Sequence, residues 1–107
     1  MAIVTITESN IKKEIEESTK PVVLDVYATW CGPCQQMNPI IEELEKEIGA
    51  TYKFAKLNVD DARELSIKYG VTSVPTFVFI KNNEVKGKKT GYMSKDDLKA
   101  SVTEFLG

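Results

Sequence analysis

The sequence predicts a single α/β domain, a central mixed sheet of five strands flanked by four helices on both faces. Three observations lead there. Apolar runs of strand length alternate with stretches of helical periodicity, in the order β-α-β-α-β-α-β-β-α. One run, from Val22 to Ala28, is nearly continuous in apolar residues, as a strand covered on both faces must be. The last two strands are separated only by Asn82-Asn83, a tight-turn signal, so parallel and antiparallel pairs share the sheet. A chain of 107 residues encloses one core rather than two, so residues 1–107 read as one domain.

Each element has a local reason. Ile3-Val4-Thr5-Ile6 reads as a short strand, and Ile11 with Ile15 in the charged stretch Glu8 to Glu17 as a short amphipathic helix. Pro21 opens the buried strand Val22 to Ala28. From Pro33 to Ile48, apolar side chains at Met37, Ile40, Ile41, Leu44 and Ile48 keep helical spacing, with Gly49 as the stop and a kink expected at Pro39. Tyr52 to Val59 alternates as a strand. Asp60 or Asp61 can cap a short helix carrying Leu65 and Tyr69, which Gly70 ends. Thr76 to Ile80 and Glu84 to Lys86 form the hairpin. Ser94 with Asp97 resembles a capping box, and Leu98, Val102 and Phe105 give the last helix its buried stripe.

Composition removes several chemistries. Hydrophobic residues at 42% and charged residues at 28% suit a soluble globular protein. Fourteen Lys and Arg against sixteen Asp and Glu leave a net charge of -2, without the basic footprint that nucleic-acid binding needs. There are two cysteines and no histidine. Ser-His-Asp and Cys-His catalysis are therefore absent, as is any His-ligated metal. No basic segment followed by an apolar run opens the sequence, and no apolar stretch is long enough to cross a bilayer. The expectation is a cytoplasmic protein with no membrane partner, in a compartment that keeps thiols reduced.

Both cysteines lie in Cys31-Gly32-Pro33-Cys34, where the buried strand gives way to the long helix. A spacing of three puts both sulfurs on one side of a turn, within reach of a disulfide. Cys31 sits at or before the helix N-terminus, where free N–H groups and the macrodipole favour an anion and lower a thiol pKa. Gly32 has no side chain to block approach, and Pro33 suits the first helical turn. Cys34 lies inside the helix and should be less exposed. A structural staple of this size would close only a four-residue loop, about 1.9 kcal/mol by chain entropy against about 3 for fifteen residues. A zinc site would need two more ligands, and no Cys or His remains. A redox pair is the reading these residues favour.

The sequence also resembles the thioredoxin family over essentially its whole length. The matching residues are Asp25, Ala28, Trp30-Cys31-Gly32-Pro33-Cys34, Pro39, Lys56, Asp60, Tyr69-Gly70-Val71, Val74-Pro75-Thr76, Gly91 and Ser94-Lys95. The resemblance implies the thioredoxin fold and reduction of protein disulfides by dithiol–disulfide exchange. It implies Cys31 as nucleophile, Cys34 as resolving thiol, and Asp25 as a buried carboxylate taking the Cys34 proton through water. Burial should raise the pKa of such a carboxyl. Lys56 matches the family lysine near that aspartate. Trp30, Val74, Pro75, Gly91 and Tyr92 fall on the family's substrate groove, with Pro75 expected cis and facing the disulfide.

The same resemblance implies partners that are disulfide-containing proteins and a separate thioredoxin reductase. NADPH and flavin would belong to that reductase, so this chain would bind no cofactor and no metal and would act as a monomer. The Gly-Pro pair is similar to that of the reducing members rather than to the His-containing oxidising variants. Gln35 departs from the Lys or Arg common after the second cysteine, and Tyr92 from a usually small residue. Lys86-Gly87-Lys88-Lys89-Thr90 lacks the glycine and Ser/Thr placement of a phosphate loop and reads as an edge strand. A thioredoxin-fold scaffold with dispensable thiols is the alternative, and the intact WCGPC, Asp25 and Pro75 weigh against it.

Overall fold

A computed structural model describes residues 3–107. Five strands, β1 (Ile3–Thr5), β2 (Val22–Tyr27), β3 (Lys53–Asn58), β4 (Thr76–Lys81) and β5 (Glu84–Thr90), form one sheet in the order β1-β3-β2-β4-β5. The β1–β3 and β3–β2 pairs are parallel, and the β2–β4 and β4–β5 pairs antiparallel. Helices α1 (Gly32–Ile48), α2 (Arg63–Lys68) and α3 (Lys95–Leu106), with a π-helical turn at Lys12–Glu16, cover it. The mixed five-stranded sheet with helices on both faces is the architecture expected from the sequence.

Side-chain alternation divides the core into two layers. Val22, Leu24 and Val26 of the central strand face Ile11, Ile15, Leu65 and Tyr69. Val23 faces the other way, with Phe54, Phe77 and Phe79, onto Met37, Ile41 and Leu44 of α1 and Leu98 and Val102 of α3. Lys95 bonds Glu43 and Glu47 of α1 and so ties the acidic face of the long helix to the start of α3. The parity of β2 places Asp25 on the α1 side of the sheet, beneath the start of that helix.

Several local expectations are corrected. The first helix is confined to one π-helical turn, because Thr7 and Asn10 claim the preceding backbone. Asn10 Oδ1 accepts from the Thr7 N–H at 2.7 Å, and Asn10 Nδ2 donates to the Thr5 carbonyl at 2.7 Å. Neither Asp60 nor Asp61 caps α2. Ala62 holds that position with no side-chain cap, since the turn is tied instead to the Asn58 carbonyl by the Asp61 and Ala62 amides. Gly49 keeps right-handed helical angles, so its conformational freedom is not what ends α1. The Ile48 carbonyl is instead taken by the Thr51 and Tyr52 amides. α1 runs as one element through Pro39.

Other signals read as written. Gly70 ends α2 with φ +70, and Asn82 and Asn83 take φ 53 and 60 in the hairpin turn. Ser94 Oγ accepts from the Asp97 amide at 3.1 Å and starts α3. β5 is an exposed edge strand, longer than its apolar pattern suggested. Its Lys88 does not merely meet water: Nζ donates to the Tyr69 and Gly70 carbonyls at the end of α2.

Candidate functional site

The Cys31–Cys34 pair stands where β2 delivers the chain into α1. Ala28, fully buried, closes the strand end, and Thr29 and Trp30 make the turn that brings Cys31 to the helix N-cap. The two residues are joined in a disulfide with Cα atoms 5.3 Å apart. Cys31 takes extended angles, φ -92 and ψ 113, and its Sγ accepts the Cys34 amide N–H at 3.2 Å. The sulfur thus occupies the place of a capping oxygen, against unpaired helix amides and the positive end of the macrodipole. Pro33 fills the first turn, where a missing N–H costs no hydrogen bond.

Exposure ranks the cysteines as the spacing suggests: 6% for Cys31 against 2% for Cys34. Gly32 is exposed, and a Cβ built there would meet nothing within 4 Å. Its lack of a side chain therefore leaves the approach open instead of relieving an internal clash.

Asp25 is buried on the central strand, and neither carboxylate oxygen has a hydrogen-bond partner. Burial pushes its pKa up to about 7, opposed by the positive charge of Lys56. Lys56 is the register partner of Asp25 on β3. Its ammonium, however, donates to Asn38 Oδ1 at 2.8 Å and lies 4.6 Å over the Tyr27 ring. Asn38 is a residue that sequence reasoning missed. It lies four positions beyond Cys34 on one helix, a spacing that puts both on one face.

Trp30 is 71% exposed, which removes a core role. Its indole Nε1–H donates to Asp60 Oδ2 at 3.0 Å, so Asp60 fixes an exposed ring rather than capping a helix. The ring and Val74 flank an open groove of about 660 Å³, floored by Val59 and Val71 and walled by Ile67 of α2. The Val74–Pro75 bond is cis, as the family resemblance implied. Pro75 accepts the Gly91 amide at 2.8 Å, which brings Gly91 beside it. Tyr92 is 54% exposed just beyond Gly91. Gln35 Nε2 donates to the Thr29 carbonyl at 2.8 Å and steadies the turn. Among the described residues, no three His, Cys, Asp or Glu side chains gather as a metal site would require.

Comparison with known proteins gives one answer. The family model for thioredoxin matches residues 2–104. A thioredoxin of Bacillus subtilis is 39% identical over 106 residues, covering 99% of this chain and all of that protein. A thioredoxin of Rickettsia felis is 42% identical over 93 residues, 87% of this chain and 89% of its own. Thioredoxin M4, chloroplastic, of Arabidopsis thaliana is 33% identical over 94% of this chain and 52% of its own length. With the cysteine pair at the head of α1 and the β1-β3-β2-β4-β5 sheet beneath it, this chain belongs to the thioredoxin family.

Proposed function

We propose a division of labour for the dithiol–disulfide exchange that this chain, a thiol–disulfide oxidoreductase and protein-disulfide reductase, carries out. The observation that carries it is the Cys31–Cys34 disulfide at the N-terminus of α1. In the reduced protein, Cys31 is the nucleophile, favoured as thiolate by the helix terminus and the Cys34 amide. It attacks one sulfur of a target disulfide, forms a Cys31–target bond, and releases the other target sulfur as thiolate. Cys34 then loses its proton to Asp25 and attacks the Cys31 sulfur. The second target thiol leaves, the chain holds the Cys31–Cys34 disulfide, and two electrons have passed to the target.

Asp25 suits this task because its carboxyl is buried, unpartnered and pushed up to about 7, so it can gain or lose a proton near neutrality. Lys56 moderates that carboxyl from the next strand. Gly32 keeps the approach clear and Pro33 restrains the loop. An extended target segment would lie along the groove between Trp30 and Val74 and pair with backbone near Pro75. Gly91 and Tyr92, next to Pro75, would line the same groove.

Disulfide-bearing proteins and a reductase are the partners that family membership implies. In our reading that reductase is a separate thioredoxin reductase supplying electrons from NADPH through flavin, and the chain works as a cytoplasmic monomer. No described helix is long and apolar enough to cross a membrane. Turbidimetric reduction of insulin disulfides, driven by dithiothreitol, tests the reading. Activity that Cys31→Ser abolishes supports it; full activity in Cys31→Ser, or none in the unmodified chain, refutes it.

A further inference from the structure

The ammonium of Lys56 is held away from the carboxylate it directly faces. Asp25 and Lys56 are register partners in adjacent parallel strands, on the same face of the sheet. A lysine stem is long enough to bring its charge to that neighbour, and an unpartnered buried carboxylate would draw it in. Yet both Asp25 oxygens lack a partner. The Lys56 charge goes to Asn38 Oδ1 at 2.8 Å and to the face of Tyr27 at 4.6 Å. Both contacts pull it toward the Cys34 end of the sheet. Asn38, Tyr27 and Cys34 together line a small depression of about 210 Å³.

We infer that Asn38 is a positioning residue: it withholds the Lys56 ammonium from Asp25, and so keeps that carboxyl able to carry a proton while the dithiol turns over. The inference rests on the reading of Asp25 as proton acceptor. Other groups around Asp25 offer no substitute for Lys56. Its β4 neighbour is Phe77, and α1 and α3 send Met37, Ile41, Leu98 and Val102 to this layer, none of which titrates. Tyr27 follows on the same face of the strand, with the Lys56 ammonium over its ring, and Cys34 is tied up in the disulfide. Among the described residues, Lys56 is the one cation whose charge lowers the Asp25 pKa. Burial holds the carboxyl up, and where the Lys56 ammonium rests sets how much of that is offset.

The test follows the Asp25 side-chain carboxyl by carbon NMR through a pH titration of the oxidised protein. Asn38→Ala removes the acceptor, and the Asp25 midpoint should fall by about one pH unit as Lys56 closes on the carboxylate. Asn38→Asp keeps an acceptor and should leave the midpoint at or above that of the parent. In a Lys56→Met background the Asn38→Ala shift should vanish. An unchanged or raised midpoint in Asn38→Ala, or an equal fall with Lys56→Met present, overturns the inference. The pH profile of insulin reduction, with Asp25→Asn as control, separates the two readings. A moved NMR midpoint alongside a profile indifferent to Asp25→Asn keeps Asn38 as a positioning residue and removes Asp25 as proton acceptor.

Discussion

Replacing Asp25 by Asn should stabilise the oxidised protein, and by an amount that depends on pH. The carboxyl is 2% exposed, unpartnered, and moved from an ordinary 3.8 to about 7 by burial. Below pH 3.8 both folded and unfolded chains hold the proton, and the group costs nothing. Between 3.8 and about 7 the unfolded chain binds fewer protons than the folded one, so stability falls as pH rises. Above that window the penalty levels off. A displacement of this size corresponds to on the order of 4 kcal/mol at about 1.4 kcal/mol per pH unit. Asparagine has nearly the same shape and never ionises, so it escapes the whole penalty. Urea unfolding of both proteins at pH 4 and pH 8.5 measures it, with the disulfide intact so that no thiol titrates. The advantage of Asp25→Asn should grow by about 3 to 4 kcal/mol across that range. An advantage that stays constant with pH, or shrinks, would refute the claim that Asp25 is buried without a compensating partner.

Three further substitutions probe other parts of the account. Ser94→Ala deletes the hydroxyl that caps α3 and should cost about 1 kcal/mol in urea unfolding; no loss would mean the Asp97 amide finds another acceptor. A Cβ at Gly87 would run into the Phe105 ring, itself stacked 5.2 Å from Phe79, so Gly87→Ala should destabilise by about 1 to 3 kcal/mol. Unfolding at the parent's denaturant midpoint would show that the ring moves aside freely. Gln35→Lys adds a positive charge one residue beyond Cys34 and releases the Thr29 carbonyl. It should lower the Cys31 thiol pKa slightly, read by ultraviolet thiolate absorbance, and an unmoved titration would dismiss the effect.

Much of this molecule can be read along the chain because its signals are local. Alternation and apolar runs locate the first four strands, Asn82-Asn83 marks a turn that needs φ above zero and so the start of the fifth, and Ser94 caps the helix three residues before Asp97. The cysteine pair is equally local: its spacing and its place between a strand and a helix suffice. What escapes a linear reading are side chains whose partners lie far away. Asp60 sits like a helix cap, but its carboxylate is taken by Trp30, thirty residues earlier. Nothing local to Lys56 shows that the sheet brings it opposite Asp25 or that α1 sets Asn38 within its reach. Thr7 and Asn10 postpone the first helix through side-chain bonds that no apolar period reports.

The order of attack is the central claim, and trapping the mixed disulfide tests it most directly. Cys34→Ser leaves Cys31 to attack but nothing to resolve the product. Incubated in reduced form with an oxidised protein substrate, this variant should accumulate a covalent complex that mass spectrometry places on Cys31 and that dithiothreitol dissolves. Cys31→Ser under the same conditions should trap far less. Complexes formed mainly through Cys34, or none from Cys34→Ser, would contradict the assignment.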